Sequence, residues 1–263
     1  LFLPCLIFDS FSTKAIDWNL FALIATASLT MVIVMATLLY TIARLRNLHG
    51  PDRNALLMTM FMNLGNFGLP VCRFAFGEEG LRLAVIVLVC GSILQNTIAV
   101  YLARQHSHGV RGALAQLFRL PIVYAFALAI LAQHYHWTPP LILSRAITMA
   151  AGAVIPVQLV ALGVKLAETR LEISRDVIIA TAMRLIVGPM VAVGIAWICA
   201  MHGLVAKIFV LQMSGPVAVG MAVYGMQFDI KPTFLASVVS WSFLLSLGTV
   251  AVVLYLLYEA PLF

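Results

Sequence analysis

The side chains of this sequence that could do chemistry are mostly amides set beside helix breakers. Met62-Asn-Leu-Gly-Asn-Phe-Gly-Leu-Pro70 carries Asn63 and Asn66 among Gly65, Gly68 and Pro70. Gln212-Met-Ser-Gly-Pro-Val-Ala-Val-Gly220 follows the same logic, with Gln212 and Ser214 beside Gly215, Pro216 and Gly220. Proline removes a helical donor and clashes with the preceding turn. Glycine lowers the cost of leaving helical geometry. The amides can then bond the freed backbone groups, or a ligand. For either stretch alone an ordinary kink competes with a binding site, because Gly and Pro are common in membrane helices. Paired breaks at corresponding places favour the site.

One cation joins these candidates. Arg184 is the only formal charge between Asp176 and Lys207. A charge at the centre of a membrane helix costs at least about 2.5–3.5 kcal/mol, so it is usually buried and used. Two readings stand: it attracts an anionic substrate or pairs with a carboxylate in a cavity, or it snorkels to the membrane surface. It lies about 12 Å of helix beyond Asp176, which is marginal for snorkelling. Asp9 ends a short apolar helix and reads as an interfacial residue or a proton carrier. Gln95, Asn96 and Gln158 lie inside apolar spans, where helix–helix hydrogen bonds compete with a place lining the cavity.

Other chemistry is thinly provided for. There is no nucleophile–base pair or intramembrane cluster of His and acidic residues such as an enzyme of the bilayer would need. A Gly-x-x-x-x-Gly-Lys loop is missing, so the chain does not consume ATP. His134 and His136 fall on different helix faces, and the four cysteines lack ligand-like spacing. No cofactor or metal is therefore expected. The net charge of +6 is scattered over the loops, which argues against a nucleic-acid partner.

The elements that must position the amides are membrane helices. Hydrophobic residues make up 63% of the 263, and charged ones 10%. A soluble domain carries about 25% charged residues, so most of this surface must face lipid. Residues 18–42, 83–103 and 185–201 are free of charge, and about 20 apolar residues span a bilayer as helix. Strands of a barrel would alternate in shorter stretches. The pattern predicts an all-α polytopic membrane protein with spans at 1–12 (partial), 18–43, 54–76, 80–102, 118–135, 141–164, 173–201, 204–227 and 231–258.

Prolines inside spans recur at Pro4 and Pro70, then at Pro156 and Pro216. With one further helix ahead of Leu1, each half has five helices, and an odd number inverts the second half. The expected domain is a single transporter unit, with a first repeat over 1–103, incomplete, and a second over 116–260. Lys and Arg set orientation. Arg44, Arg46, Arg53, Arg104, Arg111, Arg119, Lys165, Arg170, Arg175 and Lys231 fall on one side. Lys14, Arg73, Arg82, Arg145 and Lys207 fall on the other. The first group is the cytoplasmic one.

Asn63-Leu-Gly-Asn-Phe-Gly-Leu-Pro70 followed by Phe76-Gly-Glu-Glu-Gly80 resembles the auxin efflux carrier family, in its bacterial branch. Leu3-Pro4, Arg184-Leu-Ile-Val-Gly-Pro189 and Pro216-Val-Ala-Val extend the resemblance over nearly the whole chain. It implies ten helices in two inverted five-helix repeats, similar in fold to bile-acid symporters and sodium/proton antiporters. The first helix is not represented here. The resemblance places Asn63 on the family's crossover asparagine, Gly68 and Pro70 on the first break, and Pro216 on the second. Gly220 departs from the pattern, since many relatives have a second asparagine there; Asn66 is an extra amide that could stand in for it.

The expected function is a secondary transporter that moves a small organic solute, an organic anion by the family's habit, across the cytoplasmic membrane by alternating access. Substrate contacts are expected from Asn63, Asn66, Gly68, Pro70, Ser214, Gly215, Pro216 and Arg184. The expected partners are the solute, the bilayer, and a proton or sodium ion as coupling ion; a homodimer is the expected assembly. The alternatives are a sodium-coupled symporter of the bile-acid type and a non-transport membrane protein such as an intramembrane enzyme.

Overall fold

The computed structural model describes residues 2–12, 17–103, 120–167 and 172–259. Those residues form helices throughout: α1 (Phe2–Ser12), α2 (Trp18–Leu45), α3 (Gly50–Met58), α4 (Leu69–Ala103), α5 (Pro121–His134), α6 (Leu141–Gly152), α7 (Val154–Ala167), α8 (Arg175–Ala182), α9 (Gly188–Ile198), α10 (Gly203–Met213), α11 (Val219–Gln227) and α12 (Pro232–Glu259). Two π-helical turns, Leu64–Gly68 and Met183–Val187, lead into α4 and α9. Five of the described stretches are long and apolar enough to cross a bilayer: Trp18–Leu45, Leu64–Ala103, Leu141–Ala161, Arg175–Ile198 and Pro232–Glu259. Large apolar side chains such as Ile142, Leu45, Trp197 and Met149 stand outward, as a lipid-facing surface requires. This is the all-α polytopic architecture that the composition demands. The calls on Lys14, Arg104, Arg111, Arg119 and Arg170 lie outside the described residues.

Helix α4 is two limbs, not one rod. Gly77 sits at φ 66°, ψ −155° within it, a region that L side chains rarely adopt. A Cβ on Gly80 would stand 2.9 Å from the Cys72 carbonyl, although eight residues along a straight helix separate groups by about 12 Å. Leu64 likewise meets Gly91. The chain therefore reverses at Gly77, as the separate spans 54–76 and 80–102 anticipate, and Arg73 pairs with Glu78 at 2.5 Å across the turn.

Charged ends close the bundle. Arg46 after α2 pairs with Asp176 at the start of α8, and Lys231 before α12 reaches Asp52 of α3 at 2.6 Å. Asp52, Asp176 and Lys231 line one small pocket with Ser174, so loops that the basic-residue count assigns to one side do meet at one end. Lys207 stacks over Tyr258, whose hydroxyl donates to the Ala75 carbonyl.

Position 77 gives a direct test of the hairpin. Gly77→Ala forces a Cβ into the left-handed region, at about 1–2 kcal/mol, and is expected to lower the thermal unfolding midpoint in nanodiscs. Gly194→Ala, in α9 with open space around it, is expected to leave the midpoint unchanged or higher. Equal midpoints for the two variants would contradict a turn at Gly77.

Candidate solute site at the helix crossover

Two spans break, and they break against each other. After α3, residues 59–63 leave helical geometry before the π turn; after α10, residues 214–218 do the same before α11. The two stretches run antiparallel through one bridge, Met62 with Val217. Asn63 N–H donates to the Pro216 carbonyl at 2.8 Å, and Ala218 N–H donates to the Phe61 carbonyl at 2.9 Å. The first break lies ahead of Pro70, which follows the π turn Leu64–Gly68 at the start of α4 and has no N–H to give that turn. Pro216 sits inside the second break. So the prolines mark both breaks, but from different positions.

Unwound backbone in a bilayer needs internal partners, and here they can be traced. Val217 N–H donates to Ser242 Oγ of α12 at 3.0 Å. Gly68 N–H returns to the Asn63 carbonyl at 2.9 Å. The rest falls to Arg184, which is wholly buried. Its Nε–H donates to the Gly215 carbonyl at 3.0 Å and its Nη1–H to the Met60 carbonyl at 3.0 Å. Its Nη2–H donates to the Met213 carbonyl. One side chain thus ties the C-terminal ends of both broken half-helices together. The snorkelling reading is overturned by this burial, and the partners found are carbonyls rather than a carboxylate.

The sequence around Arg184 builds its seat. Pro189 has no N–H to give the preceding turn, and a π bulge is a common way for a helix to absorb such a gap. Gly188 N–H reaches back to the Met183 carbonyl. A Cβ at Gly188 would lie 3.0 Å from Arg184 Nη2 and 3.1 Å from its Cζ. Glycine there leaves the guanidinium room to fold back along its own helix toward the crossover.

The amides gather at the same place. Asn63 caps the π turn, its Oδ1 accepting from Asn66 N–H at 3.1 Å. Its Nδ2 is buried with no partner among the described residues. Gln158 of α7 brings its amide beside Gly65, 3.6 Å from where a Cβ would stand, and its Oε1 is likewise buried without a partner. Gln212 donates to the Ala84 carbonyl at 3.2 Å and lays its Oε1 over Gly68. Gln95 places Nε2 3.6 Å from the position of a Cβ on Gly220. An amide from another helix thus stands beside Gly220. Asn96 works between helices, accepting from the Tyr224 hydroxyl at 2.5 Å.

The expected site residues divide. Asn63, Asn66, Gly68, Gly215 and Pro216 come together at the crossing, with Pro70 one turn away. Ser214 turns aside: it is fully buried and its hydroxyl donates to the Val210 carbonyl at 2.6 Å. Gln95 and Gln158 are the additions; both are amides within apolar spans, which was the signal available for them. Two apolar grooves, of about 630 and 580 Å³, lie away from the crossing, along α1, α5 and α6 and between α8 and α12. Their walls are hydrocarbon, suited to lipid tails, and we place no solute there.

Membrane-length helices with two broken ones crossed at their unwound centres define a class, the multi-pass membrane transporters. Within it, this chain belongs to the membrane transport protein family, that of the auxin efflux carriers, whose model matches residues 1–111 and 110–254. It is similar to an uncharacterized transporter of Methanothermobacter thermautotrophicus, 28% identical over 215 residues that cover 80% of this chain and 70% of that protein. It is also similar to an uncharacterized transporter of Methanocaldococcus jannaschii, 25% identical over 188 residues that cover 69% of this chain and 61% of that protein.

The contact over Gly68 can be tested by coupling. Gly68→Ala drives its methyl into the Gln212 amide and dislodges the bond to Ala84, at about 1–3 kcal/mol. Adding Gln212→Ala is expected to remove most of that penalty, so that the double variant unfolds well above the additive expectation. Strict additivity of the two midpoint shifts would show that the side chain and the glycine do not meet.

Proposed function

We propose that this transporter moves a small organic anion across the cytoplasmic membrane by alternating access, with the solute held at the crossover beside Asn63. The carrying observation is the sign of the fixed charges there. Each half-helix end bears about half an elementary charge, positive at N-termini and negative at C-termini. The C-terminal ends of α3 and α10 face the guanidinium of Arg184, which offsets them. The N-terminal ends that open into α4 and α11 stay uncompensated, and the balance favours a negative ligand. Asn63 Nδ2 supplies an unpartnered donor at one of those ends, and the amides of Gln158 and Gln95 stand beside Gly65 and Gly220.

Alternating access follows from the enclosure. Asn63 is 6% exposed and Gln212 1%, so solute enters only when one helix group moves against the other. Halves over 1–103 and 116–260, read as inverted repeats, would supply two such arrangements of nearly equal energy. The enzyme alternative finds no support in the site, whose groups are amides, backbone and the Arg184 guanidinium.

Asn63→Asp separates this reading from a structural role. The carboxylate keeps an oxygen to cap Asn66 N–H, loses the donor and adds negative charge. Exchange of labelled mono- and dicarboxylates in proteoliposomes is expected to fall about tenfold to a hundredfold, the worth of a hydrogen bond to a charged group, with the unfolding midpoint nearly kept. Carboxylate flux unchanged in Asn63→Asp would remove the site from the crossover; no carboxylate flux from well-folded wild type would remove the anion.

A further inference from the structure

In transporters built on broken helices, unwound carbonyls and the C-terminal ends of half-helices are the groups that coordinate a coupling cation. Here those groups are already taken. The carbonyls of Met60, Met213 and Gly215 accept from three different nitrogens of Arg184. The neighbouring carbonyls of Phe61, Asn63 and Pro216 accept backbone N–H groups, from Ala218, Gly68 and Asn63. A sodium ion arriving at this place would need the oxygens that the guanidinium holds, and would sit against a like charge in a medium of low dielectric. Guanidinium, with its planar set of five donors, satisfies carbonyls from both breaks at once, and its charge cannot leave, because α8 and α9 hold it by the main chain.

We propose that Arg184 is a tethered counter-ion that takes the place of an exchangeable cation at the crossover, so that this transporter needs no sodium ion either to stabilise the crossing or to move its solute. This rests on the crossover being the solute site for its flux arm alone; the stability arm stands without it. The consequence for coupling is definite. The positive charge that a symporter would carry across with its substrate stays in the protein, and the anion crosses without a sodium ion to offset its charge. Flux then does not answer to a sodium gradient.

The experiment uses purified chain in nanodiscs and in proteoliposomes. In nanodiscs the wild-type unfolding midpoint is expected to be the same in sodium chloride and in choline chloride of equal ionic strength. Arg184→Ala leaves three carbonyls around an emptied space and is expected to lose about 5 °C or more. Millimolar guanidinium chloride should restore part of that loss in Arg184→Ala while lowering or leaving the wild type, a cation-specific rescue that a merely space-filling role would not show. Should Arg184→Ala fail to survive purification, Arg184→Lys carries the same comparison, with a smaller loss and no guanidinium rescue. A saturable rise of the wild-type midpoint with sodium overturns the proposal, and so does an Arg184→Ala protein that no monovalent cation restores. In proteoliposomes, carboxylate exchange that needs sodium overturns it as well. Absence of carboxylate flux in every medium, with the nanodisc results as expected, sinks the anion-carrier reading and leaves the tethered counter-ion standing.

Discussion

A peptide carbonyl stripped of its helical donor inside hydrocarbon has no water to turn to, and two helices broken at one place raise that problem twice. Much of the rest of this molecule is arranged around its solution. The breaks satisfy part of their own backbone by pairing as a short antiparallel bridge. What pairing leaves over, Arg184 collects: three carbonyls from two helices on one planar group. Hydrogen bonds to a charged partner are worth about 1.5–3 kcal/mol each, which is how a wholly buried arginine without a carboxylate partner among the described residues is tolerated. Upstream of that contact lie Pro189, the π turn and Gly188, which aim and accommodate the side chain. Downstream lies the crossing itself, and with it the position of Asn63.

Close backbone approach is the second condition. At Gly68 a methyl group would occupy the place of the Gln212 amide, and at Gly80 it would meet the carbonyl of the opposite hairpin limb. The absence of side chains at these points lets polar groups lie over backbone where an apolar filling would exclude them. Such sites recognise by hydrogen bonding more than by shape, since amides both donate and accept. That suits a carrier, which must release what it binds.

The sequence was legible wherever one local rule decides. Absence of charge over 18–42 and 83–103 fixed helices and membrane, and clusters of Gly and Pro beside Asn63 and Pro216 located both breaks within a few residues. What could not be read was the contact between elements far apart in the chain. Nothing local links Arg184 to Met60, 124 residues away, so its sequence neighbours left snorkelling open and gave no sign of the three carbonyls that it holds. The amide beside Gly220 could not be read either, because Gln95 belongs to another helix. Ser214 carried the same polar signal as Gln212, but a serine in a helix commonly returns its hydroxyl to the carbonyl four residues back, and this one does. Gly-Pro spacing marks where a helix breaks; which polar groups then face the gap depends on helical phase and on partners that spacing does not encode.

The clamp has a further consequence, because in a low-dielectric interior the group that secures the backbone also sets the field. A neutral donor of the same shape could satisfy the three carbonyls, yet it would leave the two C-terminal dipole ends, about one negative charge in sum, to cancel the two N-terminal ends at the crossing. The backbone would hold while the crossing lost its net positive charge. Arginine joins the two tasks in one side chain: it satisfies the backbone and tips the sum of fixed charges positive. The order of cause therefore runs from backbone to ligand. A membrane helix that breaks must have its carbonyls met; meeting them with a guanidinium rather than with amide or water leaves the N-terminal ends dominant; and the donor at one of those ends, Asn63 Nδ2, then faces a net positive sum of fixed charges, the ground on which an anionic solute is proposed.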